Sequence, residues 1–162
     1  MDASDVMARV KAILEETFQE PVFVDRLPKD FKRPSFALEL QKTEMADLNL
    51  FLVRKTTTVL ITGFVDVDYY HDSSREELGL RQDRVMALFP GPSMEVEGYH
   101  PTIAANKGTG APDFFEVQLA VVWSDARPGF QDPEDSAPPM EDFEVNGYLI
   151  AGGDDAGKER MR

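Results

Sequence analysis

Between Phe51 and Asp68 the chain reads FLVRKTTTVLITGFVDVD, a β-type run with no proline and one glycine, Gly63. Held straight at about 3.3 Å per residue, such a strand reaches roughly 59 Å. A compact domain of 162 residues has a diameter near ~40 Å. The strand must therefore bend, with Gly63 as the place to do so, or project. Its character changes along its length: Val59, Ile61, Val65 and Val67 form an alternating apolar face, whereas Arg54–Thr58 is polar on both faces. A strand polar on both sides has left a hydrophobic core. The run is therefore expected to form part of a hairpin arm whose backbone edges a partner can grip.

The flanking segments give the arm a body. An amphipathic helix is expected from about Ser4 to Phe18, with Val6, Val10, Ile13, Leu14 and Phe18 at three-and-four spacing, Asp2 or Ser4 as cap and Pro21 as stop. Val22–Val24 is a short strand, and the turn-rich Asp25–Pro34 leads into a second strand, Ser35–Lys42, in which Phe36, Leu38 and Leu40 alternate with polar or small residues. Thr43–Asn49 is short enough to join that strand to the long one as an antiparallel hairpin. After Asp68, Ser73 with Glu76 or Ser74 with Glu77 has capping-box spacing. The helix opened there runs to about Phe89, with Leu78, Val85, Leu88 and Phe89 inward, and ends at Pro90–Pro92.

Met94–Val96 and Tyr99–Ala105 are weaker strands, and Ala105–Pro112 (ANKGTGAP) is a turn. Phe114–Trp123 is a strong strand, with Phe115, Val117, Leu119, Val121 and Trp123 on one face. A proline-rich acidic loop (Asp125–Pro139), a strand from about Met140 to Leu149 and a polar tail complete the chain. The order α-β-β-β-α-β-β-β implies an α+β domain over residues 1–150: a mainly antiparallel sheet with two amphipathic helices packed on it and a long β-hairpin arm. Residues 151–162 are expected to be a disordered tail.

Charge narrows the function. With 17 basic against 30 acidic residues the net charge is −13, which argues against binding to a polyanion and against sequence-specific nucleic-acid recognition. The same surface suits a protein past which DNA slides without adhering; acidity for solubility alone is the plain alternative. No apolar run is long enough to span a membrane, and the absence of cysteine excludes disulfides and thiolate metal sites. Asp66, Asp68, His71 and Asp72 contain the donors for a divalent-metal site and hence a metal-dependent enzyme, although Asp72 beside two serines also fits helix capping. Neither His71 nor His100 lies beside a nucleophile signature. KGTG lacks the lysine and hydroxyl that follow the last glycine of a P-loop, and Phe114, Phe115 and Trp123 lack the basic surround of a base-stacking platform. No catalytic, cofactor or metal residue is assigned.

Two clusters, FKRPSF (Phe31–Phe36) and WSDARP (Trp123–Pro128), set arginine beside aromatics at strand ends. Arg33 and Arg127 there are either internal ion-pair partners or interface anchors. Four segments together resemble the small tail-terminator (tail-completion) proteins of long-tailed bacteriophages, in the form found in phages and prophages of Gram-positive bacteria. They are LPKDFKRPSFALEL (Leu27–Leu40), VLITGFVDVDYYHDSS (Val59–Ser74), LGLRQDRVMALF (Leu78–Phe89) and the strand ending WSDARP, after an opening helix that ends in phenylalanine.

The resemblance implies a non-enzymatic virion protein without cofactor. It would form a ring, typically of six subunits, at the head-proximal end of the tail, stop tube polymerisation and present a joint to the head connector or stopper protein, after assembling in the host cytoplasm. Self-contact candidates are Phe31, Arg33, Arg54, Lys55, Thr56, Thr57, Thr58 and Arg127. Candidates to face a lumen through which DNA passes are Asp66, Asp68, Asp72, Asp132, Glu134 and Asp135. Another connector, completion or tube protein is the alternative of the same kind.

Overall fold

A computed structural model describes residues 1–70 and 72–130, and the backbone of 142–145, 148–151 and 159–161. The chain divides into two compact units, Met1–Arg127 and Pro128–Arg162. In the first unit the elements follow the order α1 (Ala3–Phe18), β1 (Val22–Val24), β2 (Ser35–Asp47), β3 (Leu52–Phe64), α2 (Arg75–Ala87), β4 (Thr102–Lys107) and β5 (Phe114–Ala126). This is the α+β class read from the sequence. Five strands form one sheet in the order β1-β2-β3-β5-β4, antiparallel except for the β1–β2 pair.

In the second unit β6 (Asp142–Val145), β7 (Tyr148–Ala151) and β8 (Glu159–Met161) form an antiparallel sheet in that order. The stretch expected as one strand over Met140–Leu149 thus carries β6 and the start of β7. The segment assigned to a disordered tail contains β8.

Asp2 caps α1 by accepting from the backbone of Ser4 and Asp5, and the Asp5 side chain returns to the Asp2 backbone, a reciprocal capping box. Asp2 is held below the usual carboxylate range chiefly by its hydrogen bond from the Ser4 hydroxyl. Val6, Met7, Val10 and Leu14 leave α1 for the core, where Leu78 and Val85 arrive from α2. On the sheet the register stacks Phe36–Gly63–Phe115 and Leu38–Ile61–Val117 as cross-strand rows, followed by Val59–Leu119. These apolar side chains are all buried, each contributing about 1.5–3 kcal/mol by leaving water.

Helix α2 adds a charged anchor. The Arg81 guanidinium pairs with both oxygens of Glu20, lies over the Phe18 and Phe36 rings at 5.1 and 5.2 Å, and so ties α2 to the end of α1.

The expected two-stranded arm is corrected by the structure. β5 pairs with β3 along its whole length, from Leu52↔Ala126 to Phe64↔Phe114, so the long element is a three-stranded ribbon with β3 in the middle. Nor does β3 bend at Gly63: that residue stays in register between Phe36 and Phe115. A Cβ on Gly63 would lie 2.0 Å from the Phe115 ring, so glycine here makes room for an aromatic on the neighbouring strand. β2 also runs five residues past its expected end at Lys42. The register shifts between Leu40 and Lys42, a bulge that moves the odd residues Thr43, Met45 and Asp47 onto the face held before it by Phe36, Leu38 and Leu40.

Candidate functional site

The distal part of the ribbon comprises Lys42–Asp47 of β2, Leu52–Thr58 of β3 and Ala120–Ala126 of β5. Asn49 shapes the turn between β2 and β3: its Oδ1 accepts from the backbone N–H of Phe51 (2.9 Å) and Leu52 (2.8 Å). Arg127 locks that turn to the end of β5. Its Nε donates to the Leu50 carbonyl (3.1 Å), one terminal nitrogen donates to the Asn49 carbonyl (2.9 Å) and pairs with Asp47 (2.8 Å), and its backbone N–H donates to Phe51 (2.8 Å). The turn so held is apolar. Leu48, Leu50, Phe51 and Leu52 are 39, 66, 48 and 38% exposed, and Met45 on the adjoining strand is 60% exposed. Grouped apolar exposure on a braced tip sets these residues apart from singly exposed leucines, which are ordinary on a protein surface. Periodicity passed over these residues; the LNLFL run where the expected hairpin connection meets the long strand was the available signal.

The polar part of β3 is less open than a strand polar on both faces implies. Thr57 is fully buried, against expectation, and lies 3.5 Å from the Thr43 hydroxyl across the β2–β3 pair. Lys55 donates to Asp125 on β5 at 2.9 Å. Thr56 and Thr58 are half-buried on the opposite face, and Arg54 is exposed. Arg54 makes neither a hydrogen bond nor an ion pair among the described residues.

The hydrogen bond from Lys55 is the main reason the Asp125 carboxyl sits below its ordinary range. A carboxylate depressed on folding stabilises fully above the unfolded value near ~4, and that contribution is lost as pH falls through the folded value. Asp125→Asn should therefore cost up to about 1 kcal/mol at pH 7. Parallel urea titrations of the two proteins should converge on acidification; a gap that persists at pH 2.5 contradicts the ion pair as its source.

The remaining candidates separate. Arg33 is turned into its own subunit: its guanidinium donates to the Val65 and Asp113 carbonyls (3.0 Å each), pairs with Asp113 Oδ2 (2.9 Å), and lies over Phe31 and Phe64 at 5.1 and 5.2 Å. Phe31 packs on Phe64 with ring centroids 4.6 Å apart. These two residues form an internal clasp near the proximal end of the ribbon.

Asp66, Asp68 and Asp72 are exposed, and Asp68 Oδ1 accepts from the backbone of Tyr70 (2.8 Å) and Asp72 (3.0 Å), so part of this acidic cluster organises its own turn. Ser74, not Asp72, caps α2, by accepting from Glu77. No group of three potential metal ligands converges among the described residues. His71, Asp132, Glu134 and Asp135 lie outside the described residues. No described helix is long and apolar enough to cross a membrane.

Both long edges of the distal ribbon are open among the described residues. β1 covers β2 only at Phe36–Leu38, leaving Leu40–Asp47 without a strand beyond it. β4 covers β5 only at Val117–Val122, leaving Trp123–Ala126 likewise. Where β4 stops, a hollow of about 530 Å³ opens, walled by Arg54, Tyr99, His100, Thr102, Trp123 and Ser124 among others. The Trp123 indole N–H is buried without an acceptor among the described residues.

No protein-family model matches the chain, and no curated protein matches it by sequence. A solved structure that carries no descriptive name is similar over 81% of this chain and 99% of its own, at 16% identity and a TM-score of 0.40.

Proposed function

We propose that the protein is a structural virion component: a tail terminator whose copies close into a ring on the phage tail tube, stop its polymerisation and form the joint to the head connector. It acts by assembly, without catalysis and without a cofactor. The observation that carries this reading is the braced three-stranded ribbon, which ends in an exposed apolar turn and has, among the described residues, an unpaired strand edge on each side. Such an element has little use in an isolated monomer, where an open β edge beside an apolar patch invites association.

Two different edges on opposite sides of one ribbon make a heterologous contact possible, and heterologous contacts close into rings when the rotation between neighbours divides a full turn. The exposed carboxylates Asp66, Asp68 and Asp72, within a net charge of −13, suit a passage that must not hold DNA.

Electron microscopy of the purified chain, alone and with tail tubes, tests the reading. Single rings of uniform size and capped tubes are expected, and Leu50→Asp, which alters a side chain at the exposed turn, should abolish both while leaving the monomer's melting temperature within about 2 °C. Filaments of the chain alone would identify a tube subunit instead. A monomer at every concentration, with tubes left uncapped, would overturn the assembly reading.

A further inference from the structure

The free edge of β2 carries apolar surface at both of its ends. Where β1 stops, a groove of about 360 Å³ is walled by Ala3, Met7 and Ala8 of α1, Val24 of β1 and Leu40 of β2 among others, and Val24 and Leu40 are 38 and 39% exposed. At the other end stands the exposed turn Leu48–Leu52. Between them Lys42–Asp47 is exposed throughout, paired with β3 on one side and with no strand on the other among the described residues. An edge with an apolar knob at one end and an apolar hollow at the other is its own complement once reversed. An antiparallel copy sets each knob beside the other's hollow.

We infer that two copies of the free protein pair antiparallel through their β2 edges, about a two-fold axis that passes beside Met45 and stands perpendicular to the sheet. This pairing goes beyond the ring reading and does not depend on it. Such an axis reverses strand direction and keeps the core-side faces of both copies on the same side. Residues opposed in an antiparallel pair share a face, and past the bulge the odd and even residues of β2 lie on opposite faces, so the axis must fall at a residue and not between two.

The printed register of the sheet selects that residue. An axis at Thr43 would bring Leu48 of the second copy opposite Leu38, the place that Val24 of β1 occupies. An axis at Glu44 would set two carboxylates directly opposite one another, which destabilises a strand pair. An axis at Ala46 leaves the second copy's turn short of Leu40. At Met45 the opposed pairs are Met45 with Met45, Glu44 with Ala46 and Lys42 with Leu48, all beyond the bulge and clear of β1, and the second copy's turn lies beside Leu40 and the groove. Met45, 60% exposed in the single copy, then meets its own twin on the axis. The two Glu44 side chains come only as near as a diagonal, and each keeps its own Lys42 at 2.6 Å.

The chain contains no cysteine, so single substitutions report the axis directly. Opposed Cα atoms lie about 4.5–5.5 Å apart, inside disulfide range, whereas diagonal neighbours lie about 7–8 Å apart, outside it. Met45→Cys should therefore link into a covalent dimer on mild oxidation with copper phenanthroline, and Glu44→Cys should link at least about fivefold less. Met45→Arg, at an exposed site, sets two guanidinium groups face to face and should raise the dimer's dissociation constant at least about tenfold by sedimentation velocity, with an unchanged circular dichroism spectrum. Wild-type protein that is never a dimer, Glu44→Cys linked as fully as Met45→Cys, or Met45→Arg that dimerises like wild type would overturn the pairing. Rings formed by protein that shows neither the dimer nor the Met45 link would overturn the pairing alone, and dimers that give no rings and leave tubes uncapped would overturn the ring reading alone.

Discussion

Gly63→Ala should destabilise the protein by about 2–3 kcal/mol, in the range for overpacking a filled core. The sign is the informative part. In an extended strand with open space, replacing glycine by alanine gains roughly 0.5–1 kcal/mol, because alanine loses less backbone entropy on folding. Here the new methyl would sit 2.0 Å from the Phe115 ring, which is itself buried and placed edge-on to Phe36 at a centroid distance of 6.5 Å. The ring belongs to the buried core, where close packing leaves little room for it to move aside.

Gly63→Val adds two methyl groups and should lose more. The cause is local to one pair, so a double-mutant cycle isolates it: in a Phe115→Leu background, Gly63→Ala should become neutral, with a coupling of about 2 kcal/mol by urea denaturation. Equal losses in both backgrounds would assign the effect to the backbone.

Gly63 also marks where sequence reasoning stopped short. A single glycine in an over-long strand suggested a bend; the sheet instead uses it to seat a side chain from β5, a relation between residues 52 positions apart that periodicity along one strand does not carry. What period-two alternation reports is which residues of a strand face the core. The faces of Phe36–Leu38 and Phe115–Trp123 were therefore legible, as were both helices through their spacing and caps. Strand partners and strand ends were less so. Lys42–Asp47 is exposed throughout and carries no apolar alternation, and its strand character comes from pairing with β3. For the same reason the ribbon was counted as two strands: nothing in Phe114–Ala126 states which edge it joins.

The candidate site divides in the same way. The polarity of Arg54–Thr58 marked this part of the strand as different, but neither its apolar tip nor the division of labour within it was legible. Thr57 packs, Lys55 holds Asp125, and Arg54 is an exposed cation without an ion pair among the described residues. Arg127 and Arg33 each stood equally well for an internal partner or an anchor, because a side chain's acceptor is a tertiary fact. Both turn out to bind backbone carbonyls of their own subunit. Arg127 thereby stiffens the surface proposed for contact without being spent on it.

Arg33 supplies the second large effect. Its guanidinium satisfies the Val65 and Asp113 carbonyls and the Asp113 carboxylate together, while its planar face covers Phe31 and Phe64. With the side chain 19% exposed, little water reaches those carbonyls once the cation is gone. Hydrogen bonds to charged groups contribute about 1.5–3 kcal/mol, and solvent at Asp113 discounts the ion pair, so Arg33→Ala should cost about 2–3 kcal/mol. Arg33→Lys should recover less than half, since an ammonium presents neither a fork to three acceptors nor a flat face to two rings.

At a urea dependence of roughly 1–3 kcal/mol per molar, the alanine variant's midpoint should fall by about 1–2 M with unchanged slope. Protein concentration separates the two roles once assigned to this residue. A loss of intrasubunit bonding is the same at every concentration, whereas the loss of an intersubunit anchor shrinks toward zero on dilution, because a contact between copies stabilises only by mass action. The clasp predicts midpoints for Arg33→Ala and wild type that stay apart down to the most dilute samples. Convergence there would return Arg33 to the interface.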